Sequence, residues 1–165
     1  MIQIVAAKPT DFDSIRDLAY AIWPHTYGHI LSKEQLDYML GAFYSADTLT
    51  KNATEKNHVF LLVEEDGKHL GFISYEHHYQ NEPVTRIHKI YVLPETQGRG
   101  IGKMLMDHVE DLAKQNHSEA LSLNVNRYNN AQRFYKKIGF EITAEEDIDI
   151  GRGYLMEDFV MKKKL

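Results

Sequence analysis

The order of apolar and polar positions divides the chain into a helical first third and a β-rich remainder. Ile2 to Ala6 is a short apolar run that predicts a first strand, and Thr10-Asp11-Phe12-Asp13 opens a helix with Ile15, Leu18, Ala19 and Ile22 at helical spacing. That helix is predicted to end near Trp23-Pro24, since proline lacks the amide donor that a helix interior needs. Ser32 and Gln35, three apart, predict a capping box ahead of Leu36, Met39 and Leu40. From His58 the pattern changes. Val59 to Val63 is apolar on both faces, Asp66-Gly67 is a turn signal and Leu70 to Tyr79 is a second β-rich run, together a hairpin. Asn81-Glu82-Pro83 turns the chain into a third strand, Arg86 to Leu93, which Pro94 ends.

Gly100 to Asn116 then carries Ile101, Leu105, Val109 and Leu112 on one helical face, and a strand follows at Ala120 to Val125. A strand-helix-strand unit favours parallel pairing of its strands. Asn129 to Ile138 predicts another helix with Gly139 as its stop, and Glu141-Ile142 and Asp158 to Met161 read as closing strands. The expected fold is α+β, one mixed and mostly antiparallel sheet flanked by helices, with residues 1–165 as a single domain.

Composition narrows the function classes. The chain has 165 residues, 43% of them hydrophobic, enough for one core. It contains no run near 18 apolar residues and no secretory pattern at its start, so a soluble, cytoplasmic protein without membrane partners is expected. With no cysteine, disulfides, thiolate metal sites and thiol nucleophiles drop out. A net charge of -5 argues against nucleic-acid binding. No metal is expected: His25 and His29 are four apart and His77-His78 adjacent, but neither pair has a third ligand at suitable spacing.

The most informative segment is Val92-Leu93-Pro94-Glu95-Thr96-Gln97-Gly98-Arg99-Gly100-Ile101-Gly102-Lys103, which leaves a strand, crosses a glycine-rich turn and enters a helix. Glycines let backbone N–H groups approach a ligand, and the first helical turn offers unpaired donors and partial positive charge, a combination suited to pyrophosphate. Arg99 and Lys103 can add charge. A P-loop would need Ser or Thr after Gly102-Lys103, where Met104 stands, and a dinucleotide fingerprint would need glycine where Lys103 stands. What fits is Gln-x-x-Gly-x-Gly at Gln97, Gly100 and Gly102 after a strand ending Tyr-Val-Leu-Pro. This resembles the acetyl-CoA loop of the GNAT superfamily. A second signature lies downstream in order: Asn124, Asn129-Asn130-Ala131, Tyr135 four residues on, then Gly139-Phe140.

The resemblance implies the acyl-CoA N-acyltransferase fold and an acetyl-CoA-dependent N-acetyltransferase that moves acetyl onto a primary amine by direct attack in a ternary complex. It implies that Gln97, Gly98, Arg99, Gly100, Ile101, Gly102 and Lys103 hold the pyrophosphate, that Ile90, Tyr91 and Val92 pair with pantetheine, and that Asn124, Asn129, Asn130 and Tyr135 complete the coenzyme site. Tyr135 takes the slot of the family's general acid, although a phenol near pKa 10 gives a proton to a thiolate near 8.5 only uphill by roughly 2 kcal/mol, so hydrogen bonding to the thiolate is its expected part. The Val92 N–H is the expected oxyanion donor.

An alkyl amine needs a base at neutral pH, and His88 is the only neutral-range base on the strand before the loop, with Glu76 on the neighbouring strand as the alternative. Acceptor choice in the superfamily lies in the N-terminal helices and the loop near the last strands. Here Trp23, Tyr27 and Glu76 are the expected acceptor contacts, and the acidic Ala144 to Asp149 segment is the expected loop. The stretch from Ile22 to Tyr27 is similar to polyamine acetyltransferases of the PaiA type, which favours a small amine or polyamine. Lysine or N-terminal acetylation of proteins, a non-catalytic acyl-CoA sensor and a homodimer remain open.

Overall fold

The computed structural model describes all 165 residues. In chain order the elements are Ile2–Ala6 (β1), Phe12–Tyr27 (α1), Lys33–Phe43 (α2), Ala46–Glu55 (α3), Val59–Glu65 (β2), Lys68–Glu76 (β3), Val84–Val92 (β4), Ile101–Gln115 (α4), Ala120–Asn126 (β5), Ala131–Lys137 (α5), Glu141–Asp149 (β6) and Leu155–Lys164 (β7). The strands form one sheet in the order β1-β2-β3-β4-β5-β7-β6, antiparallel throughout except at β4 and β5. The β2–β3 hairpin turns at Asp66 and Gly67, both at positive φ, as the turn signal predicts.

Strand alternation sends side chains to two cores. Leu61, Val63, Ile73 and Ile87 pack with Leu105, Val109 and Tyr135 under α4 and α5, while Phe60, Leu62 and Phe72 pack with Ile22, Trp23, Leu40 and Tyr44 under α1 to α3. Sequence and structure differ at four places. The first helix does not stop at Trp23-Pro24: α1 runs through Pro24 to Tyr27, because Trp23 and Tyr27 are both buried against the sheet and their packing offsets the missing donor. The capping box is only half formed. Ser32 Oγ accepts from Gln35 N at 3.2 Å, but the Gln35 side chain reaches across to donate to the Leu155 carbonyl of β7 at 3.0 Å.

The third helix is absent from the sequence reading. Ser45 caps it, accepting from Thr48 N at 3.1 Å, but only Leu49 and Asn52 are buried along α3, so no apolar stripe marks it. Finally, Ala144 to Asp149 is strand and not loop. β6 pairs along its length with β7 around a turn at Gly151 and Gly153, yet all its residues except Ile148 are exposed, so a sheet edge reads as an acidic coil.

Two irregularities of β4 prepare the site. The strand pairs with β5 only from Val84 to Ile87, against Ala120 to Leu123, although both strands run on. In addition, Ser74 of β3 faces Lys89 while Tyr75 faces Ile87, leaving His88 as the extra residue of a bulge.

Candidate active site

Where β4 and β5 part, β4 has a free edge inside the sheet. Leu93 N donates to Leu70 O at 2.9 Å, so those two residues form a hydrogen-bonded pair. Antiparallel alternation then turns the N–H and C=O of Val92 and of Ile90 away from β3, into the gap toward β5. A cavity of about 790 Å³ occupies that gap. Its walls include Ile90, Tyr91, Val92, Gln97, Gly98, Gly100, Ile101, Gly102 and Lys103 on one side and Asn124, Asn129, Asn130 and Tyr135 on the other. These are the coenzyme residues expected from sequence, with one exception. Arg99 is turned aside, its guanidinium ion-paired with Glu65 at 2.7 Å, so it adds no charge to this cavity in the structure. Lys103 lines the cavity but is held by Asp107, also at 2.7 Å.

Gly98 and Gly100 stand at φ +85° and +72°, a region that costs an L side chain roughly 1–2 kcal/mol, and nothing lies within 4 Å of a Cβ built on either. The turn therefore keeps both its backbone conformation and open space in front of the first turn of α4, the arrangement an anionic diphosphate requires. Tyr135 is buried, in contact with the rings of Phe134 and Phe140 at 5.5 and 5.9 Å, and burial pushes its hydroxyl well above the ordinary phenol range. It is a hydrogen-bond donor throughout the neutral range.

A second cavity, about 320 Å³, lies on the other side of β4 under α1 to α3 and the start of β7. Trp23, Met39, Phe43 and Tyr44 give it an aromatic, apolar body; Lys56, Lys89 and Asp158 give it charge. Tyr27, His88, Lys89, Tyr91 and Asn124 line both cavities, so the two meet at these five residues. Here Tyr27 and Tyr91 join hydroxyls at 2.9 Å, and burial pushes the Tyr27 hydroxyl up to about 12. Of the acceptor contacts expected from sequence, Trp23 and Tyr27 line this cavity, whereas Glu76 lines neither.

Glu76 instead lies behind His88. Its Oε1 is 2.9 Å from His88 Nε2 and 3.7 Å from His58 Nε2, and the two imidazoles stack at 3.8 Å with planes 14° apart. Burial lowers both imidazoles, His58 to about 4 and His88 to about 2, with Lys89 and Lys56 repelling a proton on each and the stacked His58 adding to the effect on His88. Burial raises the Glu76 carboxyl. These three side chains have ligand atoms within 4.8 Å of one another and are the one group placed to hold a metal. Lys89 and Lys56 place positive charge beside the stacked pair. The histidine pairs weighed from sequence stay apart from it: His25 and His29 line the larger cavity, and His77 Nδ1 bonds Thr85 Oγ1 at 2.8 Å.

His58, Lys56, Lys89 and Asp158 are site residues that the sequence did not single out. Lys89 carries a readable signal only once the bulge is known, since the extra residue puts His88 and Lys89 on the same face.

Comparison with known proteins agrees with this geometry. The model of the acetyltransferase (GNAT) family matches residues 12–140. A spermidine N(1)-acetyltransferase of Thermoplasma acidophilum is 27% identical over 168 residues, 99% of this chain and 97% of that protein. The crystal structure of the PaiA N-acetyltransferase of the same organism, in complex with coenzyme A, superposes with a TM-score of 0.82 at 27% identity, covering 100% of this chain and 99% of that one. The peptidyl-lysine N-acetyltransferase YjaB of Salmonella typhimurium is 37% identical over 84 residues, 46% of this chain; the match spans about half, 54%, of that relative's length. The chain belongs to the GNAT acetyltransferase family. No helix is long and apolar enough to cross a membrane.

Proposed function

We propose that the protein transfers acetyl from acetyl-CoA to a small primary amine, by direct attack in a ternary complex with both cavities occupied. The observation that carries this reading is the meeting of the two cavities at His88, beside the free β4 edge that ends at Val92. The donor lies along that edge, its diphosphate at the Gly98–Gly102 turn and its pantetheine against Ile90 and Val92. Val92 N–H donates to the oxyanion as the amine adds to the thioester carbon, and the Tyr135 hydroxyl donates to the sulfur as the C–S bond breaks. The relative named for spermidine and the small volume of the second cavity, about 320 Å³, both favour a small acceptor over a protein.

His88 is the base and Glu76 its positioning residue. A neutral imidazole that donates Nε2–H to Glu76 leaves the Nδ1 lone pair free to take the amine's proton, and the carboxylate stabilises the imidazolium that forms. Burial keeps the His88 imidazole unprotonated but also weakens it as a base, and the imidazolium-stabilising carboxylate of Glu76 is what offsets that loss as the proton arrives.

Thiol release from acetyl-CoA across a panel of primary amines tests the reaction. Initial rates should give intersecting double-reciprocal lines, where an acetyl-enzyme would give parallel ones. His88→Gln should lower kcat by about 100-fold. An unchanged kcat removes His88 from the mechanism; absence of thiol release with every amine removes the reaction.

A further inference from the structure

The acceptor cavity carries an uncompensated positive charge. Lys89 is partly buried in its wall with Nζ 5.7 Å from the Tyr44 ring centre and 5.8 Å from that of Phe60, and it has no carboxylate partner and no hydrogen bond to the protein. The charge it senses most is another cation, Lys56, which lines the same cavity and is likewise unpaired. Burial and that repulsion lower Lys89 to about 8, so it is still mostly an ammonium at neutral pH. The cavity's one carboxylate is already answered: Asp158 accepts from Asn124 Nδ2 at 3.2 Å and has Arg86 and Arg127 close by. On the neighbouring edge strand β6, Glu146 accepts from Asn124 at 3.1 Å and Asp147 pairs with Arg127, while Glu141 and Glu145 are exposed and line neither cavity.

A polyamine entering this cavity brings further positive charge toward two unpaired lysines. An acceptor with an anionic group brings the partner they lack. We propose that the acceptor is a small primary amine that also carries an anionic oxygen group, a carboxylate or a phosphate, bound by Lys89 with Lys56 beside it. The aromatic lining from Trp23, Phe43 and Tyr44 accommodates an apolar body between that group and the amine. The inference rests on the acetyl-transfer reading above and names the acceptor class for it.

Matched pairs isolate the charge: phenylalanine against phenethylamine for a carboxylate, 2-aminoethyl phosphate against ethanolamine for a phosphate, with spermidine as the polycation. The anionic member of one pair should have kcat/KM higher by about 10- to 100-fold, the worth of one hydrogen-bonded charge, and the responding pair identifies the group. Lys89→Met should abolish that ratio, and Lys89→Glu should shift preference to spermidine. Calorimetry of the same pairs on the coenzyme A complex reads the preference independently of turnover, so failure of transfer and failure of anion recognition are distinguishable. Ratios at or below one in both pairs, a ratio that survives Lys89→Met, or spermidine as the best acceptor would each overturn the proposal.

Discussion

The coenzyme cleft and the acceptor cavity share five wall residues, yet they are built in opposite ways. The cleft is local. One stretch from Ile90 to Lys103 supplies a strand edge, a turn and a helix start, and backbone groups carry much of its proposed chemistry. The acceptor cavity is assembled by side chains from α1, α2, α3, β4, β5 and β7, brought together only by the tertiary fold. A site made of backbone constrains sequence through glycines and spacing, and so can be read in one dimension. A site made of side chains leaves no contiguous trace.

Three perturbations sharpen this contrast. Tyr135→Phe removes only the donor proposed for the thioester sulfur and should lower kcat by about 10²- to 10³-fold, with acetyl-CoA affinity within a few-fold in direct binding. An unchanged kcat would remove Tyr135 from the chemistry. Gly100→Ala strains a backbone at φ +72° and should weaken acetyl-CoA binding by about 5- to 10-fold while leaving the ranking of acceptors intact. A changed ranking would mean that the two cavities are not separable.

The smallest effect concerns His58. Its folded pKa, about 4, lies below the ordinary histidine value of 6.5, so the unfolded chain binds more protons between the two and stability falls as pH drops through that window. Acidifying from pH 6.5 to 4.5 should therefore cost the wild type about 5 °C of Tm more than it costs His58→Gln. Equal losses would show that His58 contributes nothing to the acid sensitivity it shares with His88.

The same division explains what the sequence disclosed. The β2–β3 hairpin, the parallel β4–β5 step and the glycine turn were legible, because each depends on short-range pattern or turn chemistry. α3 was not, because two buried residues make no stripe, and β6 was not, because an edge strand with an acidic, exposed length lacks alternation. Pro24 misled, since burial of Trp23 and Tyr27 outweighs a local breaker. Among the site residues, Arg99 was read as a coenzyme contact from its neighbours, but its long side chain found Glu65 on a distant strand. The sequence offers Glu76 as the alternative base and as an acceptor contact, and only the pairing of β3 with β4 reveals that it backs His88.

The five residues common to both cavities define how this enzyme can diverge. On the proposed function, a substitution at Met39 or Phe43 is expected to reshape what is acetylated without disturbing the donor, and one at Gln97 or Asn130 to do the reverse. Tyr27, His88, Lys89, Tyr91 and Asn124 line both cavities and would answer to both duties at once. The architecture thus separates a lineage's freedom to change substrate from its obligation to keep the donor, leaving a seam of five side chains where the two cannot be negotiated apart.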